Sequence, residues 1–179
     1  NADVLFISGT DPFETKTILW NEWIMPAIQK KKMKVIMVLP RKTAGAAYAE
    51  ANGGLFLDVY PGTDTVLHNA IARIIVENNW QDMDFIKNWT SNNIQPIWET
   101  ESGFGRGTSN THWQCITTWG KLAAHDYENW KAWLLGEKEF EINKASEITG
   151  VSVEKIKKAA EMLGNADGKK KVSFGYEKG

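Results

Sequence analysis

Val4-Leu5-Phe6-Ile7-Ser8-Gly9-Thr10-Asp11-Pro12 and, further along, Leu55-Phe56-Leu57-Asp58-Val59-Tyr60-Pro61-Gly62-Thr63-Asp64 repeat one design. Each opens with an apolar run suited to a strand covered on both faces, and each ends in a glycine-centred turn. Such a turn carries backbone N–H groups and the start of a helix to the carboxyl edge of a parallel sheet, where an anionic ligand fits. The pair of Gly-Thr-Asp loops says more than either loop alone.

The rest of the chain alternates in the same way. Residues 34–38, Lys34-Val35-Ile36-Met37-Val38, read as another strand. Its exit Leu39-Pro40-Arg41-Lys42-Thr43 leads into an alanine-rich stretch that Asn52-Gly53-Gly54 closes as a turn. Residues 17–25 carry a helical apolar pattern that Pro26 is expected to end or kink. A helix is predicted over 66–78, with Leu67, Ile71, Ile74 and Ile75 on its apolar stripe and Thr63 and Asp64 as natural N-caps. Further helices are expected at 82–89, 127–135, 140–148 and 153–163, the last capped by Ser152, and residues 172–176 return to strand. Strands alternating with helices at this spacing predict an α/β fold: an open, doubly wound, Rossmann-like, mostly parallel sheet with right-handed crossovers.

At 179 residues and 42% hydrophobic content the chain can bury one sizeable core. Basic and acidic residues nearly cancel, 21 against 22, so no global field recruits nucleic acid. No apolar run approaches the roughly 20 residues of a membrane span. A single cysteine, Cys115, allows no internal disulfide and no iron–sulfur cluster held by this segment alone. The chain begins at Asn1 just before one strand and stops just after another, and is expected to be part of a larger multidomain subunit. Residues 90–120 break the pattern with Asn, Ser, Thr, Gly and isolated tryptophans. They are expected to be an irregular insertion, and Trp89, Trp98, Trp113 and Trp119 around them predict burial against another part of the protein.

Asp64 has two compatible uses. It can cap a helix, or it can accept from both the ring N–H and the exocyclic amine of a guanine. Asp11 and Glu14 stand where the first loop becomes a helix, placed to cap, to bind a ribose or to be solvated. Gly9 permits close backbone approach. Gly103-Phe104-Gly105-Arg106-Gly107 lacks both the spacing and the preceding strand of a dinucleotide fingerprint, and is read as a loop. His68, His112 and His125 are too far apart in sequence for a short-spaced metal site, and His68 reads as a packed or surface histidine.

These loops resemble those of the molybdopterin oxidoreductases of the dimethyl sulfoxide reductase family, over almost the whole chain. Tyr60-Pro61-Gly62-Thr63-Asp64-Thr65 is the most specific match across that family. The stretch from Ala2 to Thr17 with Asn21-Glu22-Trp23, the run from Lys34 to Thr43, and Ile148-Thr149-Gly150-Val151-Ser152 match in order. The ending Phe174-Gly175-Tyr176-Glu177-Lys178-Gly179 points within the family to the large subunits of arsenite oxidases.

The resemblance implies a bis(molybdopterin guanine dinucleotide) molybdenum cofactor. Its cofactor-facing positions would be Ser8, Gly9, Thr10, Asp11 and Glu14 from the first loop, and Leu39, Pro40, Arg41 and Thr43 from the second. Gly62, Thr63 and Asp64 would follow from the third, and Glu177 and Lys178 beyond the last strand. At Leu39 the family usually carries an acidic or amide side chain, so the contact implied there is through the backbone. The resemblance further implies an iron–sulfur cluster ligated elsewhere in the parent subunit, a small Rieske iron–sulfur subunit with a downstream electron acceptor, and a periplasmic location. The activity it implies is oxidation of arsenite to arsenate, with no catalytic residue inside this chain. Three other readings stand beside it: another oxyanion oxidoreductase of the family, a non-catalytic nucleotide-binding module such as the central domain of a thiamine-diphosphate enzyme, and an interaction domain whose loops only cap helices.

Overall fold

A computed structural model describes residues 2–89 and 127–176. Four strands form one sheet in the order β3-β2-β1-β4, with β1 at Val4–Ser8, β2 at Lys34–Leu39, β3 at Leu55–Asp58 and β4 at Val172–Tyr176. Every neighbouring pair is parallel, and Phe6 of β1 lies opposite Ile36 on one side and Phe174 on the other. The expected parallel α/β sheet is therefore present.

Because side chains alternate along a strand, the sheet has two apolar faces. Val4, Phe6, Ile36, Val38 and Leu57 form one, and Ile7, Val35, Met37, Leu39 and Phe56 the other. The second face is covered by the β1–β2 connection: α1 (Pro12–Thr15), α2 (Thr17–Leu19), a π-helical turn at Trp20–Ile24 and α3 (Met25–Lys31). Trp20, Ile24 and Ile28 from this connection pack there with Ala46 and Ala49 of α4 (Ala44–Ala51). The first face is covered by α5 (Asp64–Glu77) through Leu67, Ala70, Ile71 and Ile74.

The chain divides into two units, residues 1–82 with 139–179, and residues 83–138. The smaller contains α6 (Met83–Trp89) and α7 (Tyr127–Gly136), where the Tyr127 and Trp130 rings lie 5.9 Å apart. The larger unit resumes after a 3₁₀ turn at Lys138–Phe140 with α8 (Ile142–Thr149) and α9 (Val153–Leu163). Ala145, Ile156, Ala159 and Ala160 from these helices complete the first face. Ser152 caps α9 as expected, its hydroxyl oxygen accepting from the Lys155 N–H at 3.4 Å. Residues 90–120, the expected insertion, with Trp98, Trp113 and Trp119, fall outside the described residues.

Pro26 does not end the helix, and of the two outcomes expected of it the local distortion is the one that fits, since a π-helical turn stands directly before it. The Met25 N–H reaches back to the Trp20 carbonyl, a five-residue step, so the hydrogen-bond ladder is already widened where proline brings no donor. The helix then runs through Lys30 and Lys31, whose charges suit its carboxyl end, and Lys32 closes it at φ 59.

The return from α4 to β3 is the tightest turn of this unit. A Cβ on Gly54 would stand 2.2 Å from the Val35 carbonyl oxygen and 2.8 Å from that of Ala49, both backbone atoms that cannot swing aside. In the full-length protein Gly54→Ala is expected to cost at least about 1–3 kcal/mol, the usual toll of overpacking. Gly136→Ala, where a Cβ meets nothing within 4 Å, should change the urea midpoint little. Equal midpoints for the two variants would contradict this account of the turn.

Candidate functional site

β1, β2 and β3 run in one direction and so deliver their exit loops to one edge of the sheet. There the loops enclose a crevice of about 600 Å³. Ser8 and Gly9 line it from the first loop, Leu39 and Pro40 from the second, and Val59, Pro61, Gly62, Asp64 and Thr65 from the third. His68 of α5 completes the wall.

The first loop turns at Gly9, with φ 75, and its N–H donates to the Val38 carbonyl at 3.3 Å. Asp11 then caps α1: its Oδ1 accepts from the Phe13 N–H at 2.9 Å, and the Thr15 hydroxyl donates to its carbonyl at 2.9 Å. The residue is only 5% exposed, and its Oδ2 is buried without a partner among the described residues. A Cβ on Gly45, in the first turn of α4, would lie 2.5 Å and 2.9 Å from the two carboxylate oxygens. The first turn of α4 thus packs directly against the Asp11 side chain, at a position only glycine leaves room for. Of the three uses open to Asp11 from sequence, capping fits this geometry and the solvated one does not.

Second-loop residues are also engaged in building the edge. Thr43 caps α4 by accepting from the Ala46 N–H at 3.1 Å, and Arg41 pairs with Glu14 at 3.2 Å, joining loop to loop. That exposed pair contributes about 0–1 kcal/mol. Thr10 and Thr15 hydroxyls lie 3.3 Å apart. Leu39 buries its side chain in the core while its carbonyl accepts from the Val59 N–H at 3.3 Å, so the strand exits are tied to each other through the backbone.

Thr63 occupies the N-cap position of α5 as expected, its carbonyl accepting from the Leu67 N–H at 3.2 Å, but neither its side chain nor that of Asp64 caps the helix. The Thr63 hydroxyl donates to the Tyr60 carbonyl at 2.7 Å, closing the turn instead, and Thr63 makes no side-chain bond to α5. The helix starts earlier than expected, with Asp64 already in its first turn, so the carboxylate is not consumed by capping and stands on the crevice wall. Gly62, at φ 84, would bring a Cβ near nothing within 4 Å: its backbone borders open space.

His68 lies one helical turn after Asp64 and, with Val59, Pro61 and Thr65, joins the wall without having been among the positions expected there. Its Nε2 is 3.3 Å from the Ser8 hydroxyl oxygen, and its ring stands edge-on to Phe6 with centroids 5.4 Å apart. Burial lowers its pKa below the ordinary histidine value, against an opposing pull from Asp64. The packed role expected for it is present, and the four-residue spacing from Asp64 was the signal that it also faces the ligand edge.

The structure thus brings Ser8, Gly9, Leu39, Pro40, Gly62 and Asp64 to one wall and sets Thr10, Asp11, Glu14, Arg41, Thr43 and Thr63 among the bonds that shape the loops. Glu177 and Lys178, like His112, Cys115 and His125, lie outside the described residues. Among those described, no three His, Cys, Asp or Glu side chains gather as a metal site, and no helix is long and apolar enough to cross a membrane.

A crevice of this volume, with polar groups converging on open backbone, falls within the range of about 300–1,000 Å³ typical of cofactor sites. The family model for molybdopterin oxidoreductases matches residues 1–172, and the chain belongs to that family, whose cofactor is a molybdenum–pterin. It is 50% identical over its whole length to the iodate reductase subunit IdrA of Denitromonas iodatirespirans and 45% identical to that of Pseudomonas sp. (strain SCT), covering 19% and 20% of them. With the arsenite oxidase subunit AioA of Herminiimonas arsenicoxydans the match is 32% over half of this chain and 13% of that one. The solved acetylene hydratase from Pelobacter acetylenicus superposes on 99% of the chain, over 18% of its own length, with a TM-score of 0.60 and 21% identity, which is a likeness of fold. The chain spans about a fifth of the length of the iodate reductase subunits it matches.

The third loop is pinned from the far side of the sheet's connection. The Tyr60 N–H donates to the Thr149 carbonyl at 2.9 Å, and its ring covers Gly150, where a Cβ would meet ring atoms at 2.6–2.9 Å. Gly150 also holds φ 77 at the end of α8. Gly150→Ala is expected to destabilise the full-length protein by about 1–2 kcal/mol from the backbone alone, and by more through the ring. Adding Tyr60→Ala should recover only the ring's share, and a double variant no better than Gly150→Ala would show that the ring contact is immaterial.

Proposed function

We propose that this chain holds the guanine-dinucleotide arm of a bis(molybdopterin guanine dinucleotide) cofactor in the large subunit of an iodate-reducing molybdenum enzyme. The observation that carries the site is the convergence of three strand exits on one crevice with an uncapping Asp64 on its wall. In this role the Asp64 carboxylate accepts from guanine, Gly62 lets the backbone approach, and Ser8 and Gly9 with the Leu39–Pro40 backbone take the ribose and phosphates. Thr10, Asp11, Glu14, Arg41, Thr43 and Thr63 keep those loops in shape, and by the family resemblance Glu177 and Lys178 would add further cofactor contacts.

When bound, the molybdenum supplies two-electron oxygen transfer to or from an oxyanion. Full-length identity to iodate reductases against half-length similarity to an arsenite oxidase favours reduction of iodate over oxidation of arsenite. Each oxygen removed from iodate consumes two electrons and two protons and leaves as water. Electrons then enter the subunit rather than leave it. An iron–sulfur cluster ligated outside these residues, a small Rieske-type partner subunit and a periplasmic location complete the proposal by the family resemblance.

The experiment compares the parent enzyme with its Asp64→Ala variant by molybdenum analysis, by mass spectrometry of the released cofactor, and by assays with iodate and with arsenite. Native enzyme should yield molybdenum and guanine nucleotide and reduce iodate, and the variant should lose most of all three. Native enzyme carrying a pterin without guanine nucleotide would overturn the site's assignment, and arsenite oxidation without iodate reduction would overturn the substrate's.

A further inference from the structure

His68 stands between two cavities. On one side is the crevice just described, and on the other an apolar cavity of about 430 Å³ bounded by Phe6, Ile71, Ile75, Val172 and Phe174. Ser8 and His68 line both, and their side chains meet at 3.3 Å. Phe6 from β1 packs on the imidazole edge-on, so the ring is held from two sides while still bordering the crevice.

The charge of the crevice makes this position consequential. Among the described residues that line either cavity, Asp64 is the one carrying a full charge, and no lysine or arginine is present. Arg41 is paired with Glu14, with 71% of its side chain exposed. The backbone N–H groups of the turns can receive an anionic phosphate, but the Asp64 carboxylate beside it repels it, and a cation developing near it offsets that repulsion. Of the described wall residues, His68 is the group able to become that cation.

Resting on the dinucleotide reading above, we propose that His68 is a ligand-binding residue of the crevice that takes up a proton as a nucleotide phosphate enters, coupling loading of the dinucleotide to protonation. Without ligand, burial keeps the imidazole neutral more than Asp64 keeps it charged. A phosphate adds negative charge on the open side and raises the ring's pKa. The sign follows: between the unliganded and liganded pKa values, affinity falls by up to about tenfold for each unit rise in pH, and outside that window it is flat. Ser8 keeps the ring oriented, since its hydroxyl can donate to the neutral ring or accept from the charged one.

The test uses the full-length subunit prepared without cofactor and, as the probe, GDP presented as its mannose ester, whose phosphates do not titrate in this range. Binding is titrated calorimetrically between about pH 6 and 8 in buffers of different ionisation enthalpy. Wild type should bind GDP more tightly at the lower pH with net proton uptake. His68→Gln, which stays polar, and His68→Phe, which keeps the contact with Phe6, should both bind more weakly at low pH and show no uptake, with melting temperatures checked in parallel. GDP binding without proton uptake in wild type, or uptake that persists in both folded variants, would overturn the role of His68 alone. Absence of GDP binding at every pH would overturn the dinucleotide reading and His68 with it.

Discussion

A single hand of crossover between parallel strands, right-handed as a rule in proteins, is the constraint on which the rest of this structure depends. The chain passes from β1 to β2 to β3 in one direction, with its connecting helices on one face of the sheet. It then returns across the sheet to place β4 on the other side of β1. Keeping the same hand while reversing direction obliges α5, α8 and α9 to lie on the opposite face. The connections on either side of β1 therefore diverge, and the carboxyl edge near it is left open for a ligand.

That open edge is maintained by interactions that never touch the crevice. Asp11 is buried against the start of α4 at a distance only glycine at position 45 allows, and Thr43 caps the same helix. Tyr60 hangs the third loop on the end of α8 through a backbone bond and a ring packed on Gly150. Each loop is thus fixed at its base by a helix terminus. Wall residues such as Gly62 and Asp64 are left free of those duties and border the opening. Residue types that look equivalent in a motif end up with opposite duties, as Asp11 and Asp64 do in two nearly identical Gly-Thr-Asp loops.

The difference between those loops has a local cause. After Gly9 the chain enters a four-residue helix led by Pro12, and the Asp11 carboxylate reaches the free Phe13 N–H. After Gly62 the Thr63 hydroxyl is held by the Tyr60 carbonyl, and a fourteen-residue helix begins at Asp64 itself, so the carboxylate has no cap to make. Helix register also carries His68 to the same wall one turn later, where β1 supplies Ser8 and Phe6 as its neighbours.

Strands, most helices and the parallel α/β class were legible in the sequence, because burial on both faces writes itself as continuous apolar runs such as Val35 to Val38, and helix caps as local pairs such as Ser152 with Lys155. The family was legible for a similar reason: its loops must satisfy backbone geometry residue by residue, and Tyr60-Pro61-Gly62-Thr63-Asp64 does so in order. Pro26 does not end its helix as one reading of the sequence had it, because the hydrogen-bond ladder is already widened at Trp20–Ile24 where the proline brings no donor. The sorting of site residues into those that line the crevice and those that build it belongs to the tertiary structure alone. Whether Asp11 meets Gly45, whether Arg41 meets Glu14 and whether His68 meets Ser8 are distances between residues far apart in the chain, and only the packing of helices on the two faces of the sheet decides them.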